Sequence, residues 1–179
     1  MLLITGLHPQ AHPLRLQIDN MKISSFVDID NARLDDQRVV MQEIIDADHC
    51  PFCLENLEKY HKEPFLKEGK YWVVTKNQWP YEHTKLHLLF ISKKHVTTLT
   101  ELEQAAGTEL IELAQWAVKE FEIPGGGLVM RFGDTEYSAG TVAHLHAQLL
   151  YPDIEAPDYD EKPVKVKIGK MWKDRQVEK

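Results

Sequence analysis

Residues 143–150 constrain the fold of this chain more than any other segment. Polar and apolar side chains alternate along the run Ala-His-Leu-His-Ala-Gln-Leu-Leu, which predicts a β-strand with one polar face and one core face. Same-face residues on a strand lie about 6.6 Å apart, so neighbouring polar groups can contact adjacent atoms of one ligand. The polar face carries His144, His146 and Gln148, and the core face carries Leu145, Ala147, Leu149 and Tyr151.

Hydrophobic periodicity predicts further strands and two helices. Alternating or β-branched runs indicate strands over residues 70–76, 85–92, 127–132 and 164–168. Helical stripes indicate one helix over residues 34–47 and a longer one that begins at a capping box formed by Thr100 and Glu103. Hairpins combined with one long helix predict an α+β fold, with an antiparallel sheet of about five strands, one long helix and a shorter one.

The long helix is predicted to end before a glycine-rich turn. Pro124 and the glycines at 125–127 stop it. We assign to them a turn rather than phosphate binding, because neither G-x-G-x-x-G spacing nor a following helix is present. The core stripe of the helix is predicted to contain Leu102, Ala106, Leu110, Leu113, Ala117 and Phe121.

Length and composition predict one globular domain with extensions. A chain of 179 residues with 43% hydrophobic content can bury a sizeable core. We expect an extension over residues 1–33, the domain itself over 34–160, and a basic strand and tail over 161–179. This tail contains seven Lys or Arg and three acids, and we expect it to form a solvated edge strand and a frayed end.

Charge and hydropathy exclude two kinds of partner. The balance of 21 basic and 28 acidic residues gives a net charge of −7, which argues against a general affinity for nucleic acid. No run approaches the roughly eighteen apolar residues that a membrane span needs. Residues 1–7 lack the basic start of a signal peptide. We therefore expect a cytoplasmic protein with no membrane partner.

The two cysteines of the chain indicate a metal site. Cys50 and Cys53 are three residues apart, and tetrahedral zinc bound to such a pair takes two more ligands, most often Cys or His. No third cysteine exists, so histidines must complete the set. We predict His95, which follows a strand, and His144. His49 and His87 are the competing candidates, and the mid-strand position of His87 fits a packed or hydrogen-bonded side chain equally well. With four protein ligands the zinc would be closed and structural.

The Cys-x-x-Cys pair also has two other interpretations. The same spacing occurs in redox proteins, where it follows a strand and opens a helix. Here it follows a predicted helix, which favours metal binding over redox chemistry or an unliganded structural pair.

These residues resemble the histidine-triad superfamily, whose motif is His-x-His-x-His followed by two apolar residues. Gln148 stands at the third His position, which is similar to the branch of galactose-1-phosphate uridylyltransferase and the dinucleoside tetraphosphate phosphorylases. The likeness extends over about residues 48–152 and includes the segment Phe-Ile-Ser-Lys-Lys-His that ends at His95. In those relatives zinc is bound by the cysteine pair, this histidine and the first histidine of the motif.

The resemblance implies a role for each remaining site residue. His146 would be the nucleophile that becomes a nucleotidyl-histidine, and Gln148 would hydrogen-bond a phosphate oxygen. The nucleotide-binding residues would be Thr141 at the phosphate, Asn77 at the ribose and Phe52 against the base. The run at 138–143 differs from the usual Gly-Gln-Ser of the family. Family habit also implies a homodimer.

Gln148 narrows the expected reaction. An amide has no titratable proton, so it cannot act as a general acid toward an amine leaving group. Leaving groups that are stable as anions suit this site. We therefore expect a nucleotidyltransferase, phosphorylase or hydrolase that acts on a dinucleoside polyphosphate or a nucleotide-activated compound. The alternative is a non-catalytic nucleotide-binding or interaction module that retains the zinc fold.

Overall fold

One five-stranded antiparallel sheet organises the molecule. The computed structural model describes residues 26–170. The strands are β1 (Phe65–Glu68), β2 (Trp72–Lys76), β3 (Thr84–Ser92), β4 (Gly127–Arg131) and β5 (His146–Pro152). Their order is β1-β2-β3-β5-β4, and every neighbouring pair is antiparallel. The predicted fold class, an α+β structure with about five antiparallel strands, is confirmed.

Four α-helices accompany the sheet within residues 26–170. They are α1 (Asp35–Ala47), α2 (Leu54–Tyr60), α3 (Gln104–Glu120) and α4 (Thr135–Ser138). Helix α1 confirms the helix predicted over 34–47, and α3 is the predicted long helix. Helix α2 and strand β1 were not predicted, because seven and four residues are too few to show a period. None of the described helices is long and apolar enough to cross a membrane.

The two faces of the sheet have different coverings. Helix α3 packs on one face, where Trp72 donates its indole N–H to the carbonyl of Ala106 at 2.7 Å. The predicted stripe residues of α3 lie in this core or at its edge. The other face packs against Leu57 of α2 and carries Val73, Leu89 and Ile91. This second face also carries the polar residues discussed below.

The predicted capping box is wrong by two residues. The carboxylate of Glu101 accepts the backbone N–H groups of Thr97 and Thr98 at 2.9 and 3.0 Å. A short 3-10 turn over Leu99–Glu101 follows, and α3 begins only at Gln104. The sequence contains the Thr-x-x-Glu pattern twice, at 98–101 and 100–103, so the pattern alone did not select the register.

The strand predicted over 164–168 is also wrong. Residues 161–170 contain no strand. A side chain and loop backbone hold this segment instead. His83 hydrogen-bonds to the carbonyl of Lys162 at 2.8 Å, and the backbone N–H of Lys170 donates to the backbone carbonyl of Glu136 at 2.7 Å. The alternating valines and lysines of this segment therefore lie in an irregular segment that pairs with no strand. Most of the predicted N-terminal extension (residues 1–25) and the end of the tail (171–179) lie outside the described residues.

Gly126 lies where no other residue fits. A Cβ at this position would collide with the backbone carbonyl oxygen of Leu150 in β5. That oxygen cannot move without disturbing the sheet. A Cβ built on Gly125 would meet no atom within 4 Å. The turn role predicted for these glycines thus includes a close backbone approach at one of them.

We expect Gly126→Ala to lower the free energy of unfolding by about 1–3 kcal/mol through overpacking. The matched control, Gly125→Ala, should change it by less than about 1 kcal/mol, because it meets open space. Urea unfolding followed by circular dichroism measures both. Equal midpoints for the two variants would contradict the close approach at Gly126.

Candidate functional site

Four residues form a cluster of metal-ligand type at one end of the sheet. Cys50 and Cys53 come from the connection between α1 and α2, His95 follows β3, and His144 precedes β5. One potential ligand atom from each lies within 4.8 Å of the other three. The Sγ of Cys50 is 3.2 Å from the Nδ1 of His144, and the Sγ of Cys53 is 3.4 Å from the Nδ1 of His95. The structure brings together the four residues that the sequence predicted.

The donor set and its spacing fit a tetrahedral zinc ion. Zn–S and Zn–N bonds of about 2.3 and 2.1 Å imply ligand separations of about 3.3–3.8 Å. The measured Sγ–Nδ1 distances in the cluster run from 3.2 to 4.0 Å, and the Nδ1 atoms of His95 and His144 are 3.2 Å apart. The Nε2 of His144 donates to the Ser92 carbonyl at 2.6 Å, so its Nδ1 keeps a lone pair toward the cluster.

The two thiols of the cluster are protonated near pH 7 unless a cation binds between them. Burial, followed by the charge of Cys50, raises the pKa of the Cys53 thiol to about 12. Burial likewise raises the pKa of Cys50. Thiolate ligands in this position therefore require a positive charge between them.

The competing histidines lie elsewhere. The Nε2 of His49 is 2.8 Å from the hydroxyl of Tyr60, outside the cluster. His87 lies in β3 and hydrogen-bonds to Gln148, as described below.

His146 is a buried imidazole with one ring nitrogen held and the other available. Its Nδ1 is 2.7 Å from the carbonyl oxygen of His144. A carbonyl only accepts, so Nδ1 carries the proton and Nε2 keeps its lone pair. Burial lowers the pKa of His146 to about 4, which makes the ring neutral near pH 7. The edge of the Phe52 ring system faces it, with centroids 5.2 Å apart at 90°.

A hydrogen bond from His87 fixes the orientation of the Gln148 side-chain amide. The backbone N–H of Tyr81 donates to the Nδ1 of His87 at 3.1 Å, so the proton of this ring lies on Nε2. That Nε2 donates to the side-chain oxygen of Gln148 at 3.0 Å. The oxygen of Gln148 is thereby engaged, and its amide NH₂ remains as a donor. The sequence left His87 either as a metal ligand or as a packed or hydrogen-bonded residue, and the structure shows the hydrogen-bonded alternative.

One narrow cavity of about 70 Å³ is lined by all five residues that the sequence assigned to catalysis or nucleotide binding. These residues are Phe52, Asn77, Thr141, His146 and Gln148. Apolar side chains complete the wall, among them Val40, Met41, Ile44 and Trp79. The structure thus gathers the predicted residues, while their individual roles stay predictions.

Two of these residues are already held by local hydrogen bonds. The Asn77 side-chain oxygen accepts the backbone N–H of Trp79 at 2.9 Å, which leaves its NH₂ beside the His87 ring. The Thr141 hydroxyl donates to the carbonyl of Asn31 at 3.3 Å. Both side chains are therefore positioned before any ligand arrives.

Two arginines at the cavity were missed by the sequence analysis. Arg131 pairs with His146 across β4 and β5, which places both on one face of the sheet. Its guanidinium donates to the Ala139 carbonyl at 2.8 Å and the Tyr81 hydroxyl at 3.0 Å. Arg33 stacks on the Tyr81 ring at 4.3 Å. The alternation of β4 could have given the face of Arg131 once its register was known; no pattern indicates Arg33.

We expect His87 to make stability fall in mild acid. Burial lowers the pKa of His87 to about 4, whereas an unfolded histidine titrates near 6.5. Between about pH 4 and 6.5 the unfolded chain therefore binds a proton at this residue that the folded chain does not. The stabilisation that neutral His87 gives the folded state is complete above about pH 6.5 and is lost as the pH falls toward 4. In His87→Gln the loss of unfolding free energy between pH 7 and 5 should be smaller by roughly 1–2 kcal/mol. Urea unfolding at each pH measures it.

His83→Gln is the control with the opposite sign. The Lys162 carbonyl, followed by the charge of Asp158, raises the pKa of His83, with Glu82 also nearby. Its contribution is therefore present below about pH 6.5 and is lost as the pH rises through the folded-state pKa. Identical pH profiles for the parent protein and His87→Gln would contradict a neutral, buried His87.

Comparison with known proteins concerns the fold. No family model and no curated protein matches the sequence. A solved structure of a hypothetical protein from Leishmania major matches with a TM-score of 0.51 at 20% identity, over 74% of this chain and 91% of that chain. A histidine triad nucleotide-binding protein from Candida albicans gives 0.49 at 19% identity, over 63% and 89% of the two chains. A hypothetical histidine triad nucleotide-binding protein from Sulfolobus tokodaii gives 0.46 at 23% identity, over 72% and 85%.

At these identities a likeness shows the fold alone, and of these three structures the Leishmania protein has a TM-score above 0.5. The described residues have the α+β fold with a five-stranded antiparallel sheet that the sequence predicted, and the Leishmania protein shares this fold.

Proposed function

We propose that this protein is a zinc-containing nucleotidyltransferase or phosphorylase that forms a nucleotidyl intermediate on His146. Its substrate would be a dinucleoside polyphosphate or another nucleotide-activated compound. One observation carries the proposal: His146 is a buried, neutral imidazole on the cavity, with Nδ1 bonded to the His144 carbonyl and Nε2 free to attack. Covalent capture of this kind divides one difficult displacement into two easier ones.

In the first step the Nε2 lone pair of His146 attacks the α-phosphorus. The new N–P bond forms as the P–O bond to the leaving group breaks, and the leaving group departs with that electron pair as an anion. The ring becomes a positively charged nucleotidyl-imidazolium and keeps its Nδ1 proton. The His144 carbonyl, 2.7 Å from Nδ1, stabilises this charge.

In the second step an acceptor oxygen attacks the same phosphorus and the P–N bond breaks. The electron pair returns to Nε2, so the neutral ring is restored. Phosphate or another anion would give transfer or phosphorolysis, and water would give hydrolysis. A water acceptor would lose a proton to solvent, since His146 already carries its Nδ1 proton.

Gln148 supports phosphate binding rather than proton transfer. His87 occupies its oxygen, so the NH₂ group is the part that can donate to a non-bridging oxygen. Arg131, on the same face of the sheet, adds positive charge beside the reacting phosphate.

Zinc, when bound, would supply a rigid structural link through Cys50, Cys53, His95 and His144. His144 would then contribute through its backbone, because its carbonyl holds the proton of His146. We include a homodimer in the proposal on the strength of the family resemblance.

We expect incubation with diadenosine tetraphosphate, with and without phosphate, to give an intact-mass increase of one nucleotidyl group. The adduct should be acid-labile, as a P–N bond is, and should be absent in His146→Ala, whose turnover should fall by at least about a thousandfold. A circular dichroism spectrum controls for folding of the variant. Nucleotide binding with neither adduct nor turnover across a panel of nucleotide donors would favour a non-catalytic binding module.

We expect freshly purified protein to contain about one zinc ion per chain, measured by elemental analysis. His95→Asn and Cys50→Ser should each lower this below about half an equivalent, because a ligand is removed. His49→Asn is the matched control and should retain the metal, since His49 bonds to Tyr60 outside the cluster. Equal zinc contents in His95→Asn and His49→Asn would contradict the four-ligand site.

A further inference from the structure

A second, wider cavity adjoins the cavity at His146. Its volume is about 460 Å³, within the range of pockets that enclose small ligands. Four residues line both cavities and form the junction between them: Arg33, Tyr81, Arg131 and Thr141. Residues 161–165 and Lys167 form part of its outer wall. The narrow cavity at His146 holds about 70 Å³, so much of a substrate as large as a dinucleotide must lie outside it.

Cations outnumber acids in this second cavity. Its cations are Arg33, Arg131, Lys162, Lys165 and Lys167, and its acids are Asp30, Glu82 and Glu161. Asp30 lies 3.6 Å from Lys170, outside this lining, and Glu82 and Lys162 offset each other at 3.6 Å. Arg33, Arg131 and Lys165 then stand against Glu161. The cavity therefore presents a net positive surface.

The junction arginines have no acidic partner among residues 26–170. The guanidinium of Arg33 donates to the carbonyls of Trp79 and Pro80. That of Arg131 donates to a carbonyl and to a tyrosine hydroxyl, and its Nε is buried with no hydrogen-bond partner. Carbonyls orient a guanidinium without neutralising it, so both charges remain available to an anionic ligand.

Lys165 continues this surface along the outer wall. Its side chain is exposed and makes no ion pair with any residue that the structure describes. The segment that carries it is held in place at His83, which bonds to the Lys162 carbonyl at 2.8 Å and the Asp158 carboxylate at 2.8 Å. The backbone near Lys165 is thus anchored, and its side chain lines the same cavity as the two arginines.

We propose that the second cavity binds the leaving group of the reaction, and that this leaving group is a chain of two or more phosphates. This inference rests on the proposed function and adds the substrate class. Arg33 and Arg131 would contact the phosphate next to the bond that breaks, and Lys165 would contact a phosphate farther along. A leaving group with a single phosphate would end at the junction and gain nothing from Lys165.

Binding of inorganic tripolyphosphate tests the site without catalysis. Calorimetry on the full-length His146→Ala protein should show that tripolyphosphate binds at least about tenfold more tightly than orthophosphate or sulfate. Lys165→Gln should weaken tripolyphosphate about tenfold and leave adenosine monophosphate within about twofold. The matched control is Lys119→Gln, which changes an exposed lysine at the end of α3 and should have no effect.

Substrate selectivity tests the leaving-group assignment. With His146 intact, Lys165→Gln should lower kcat/KM for diadenosine tetraphosphate about tenfold, but that for a nucleotide sugar, whose leaving group has one phosphate, by less than about twofold. Equal losses for both substrates, or equal weakening of tripolyphosphate by Lys165→Gln and Lys119→Gln, would overturn the proposal. Selective tripolyphosphate binding without any nucleotidyl adduct would instead overturn the proposed function and leave the polyphosphate site standing.

Discussion

The register of β3 against β5 is the constraint on which the site depends. Leu89 lies opposite Gln148, and Ile91 lies opposite His146. Strand β3 also pairs with β2, and β5 also pairs with β4, so each of the two strands is held on both sides. A shift of one residue would turn His146 and Gln148 toward α3 and bring leucines to the cavity. The same register brings the side chain of His87 to the oxygen of Gln148.

Backbone groups give three histidines of this region three different chemical properties. A carbonyl at Ser92 leaves His144 with a lone pair toward the cysteines, and the carbonyl of His144 leaves His146 with a lone pair on its other nitrogen. A backbone N–H at Tyr81 has the reverse effect on His87 and makes it a donor. All three rings are buried, so an unmatched nitrogen would cost about 1–3 kcal/mol. The hydrogen bonds that make burial tolerable therefore also assign the tautomers.

The parts of this arrangement that the sequence predicted are those encoded by short patterns. Alternation gave the strand of His146 and Gln148, although β5 begins at His146 and leaves His144 just before it. The Cys-x-x-Cys spacing, with the histidines after β3 and before β5, gave the cluster of four. The cavity arginines were not predictable in this way, because the face of Arg131 follows from the pairing of β4 with β5, and Arg33 reaches the site through tertiary packing. The strand expected at 164–168 failed for a related reason: alternation states which faces would differ, but not whether a partner strand is present. The helix start failed because two overlapping patterns compete and only local backbone geometry chooses between them.

The net charge of the chain does not describe the charge around its cavities. A net charge of −7 disfavours the binding of polyanions to the surface in general. A local group of cations therefore restricts polyanion binding to one place on the protein. Residues 161–165 and Lys167, expected to lie in a solvated edge strand, instead line the second cavity, which shares Arg33, Tyr81, Arg131 and Thr141 with the cavity at His146. In the proposed function, a polyphosphate would be repelled by the acidic parts of the surface and attracted at the second cavity. Position, not total charge, therefore decides which anions this fold can bind.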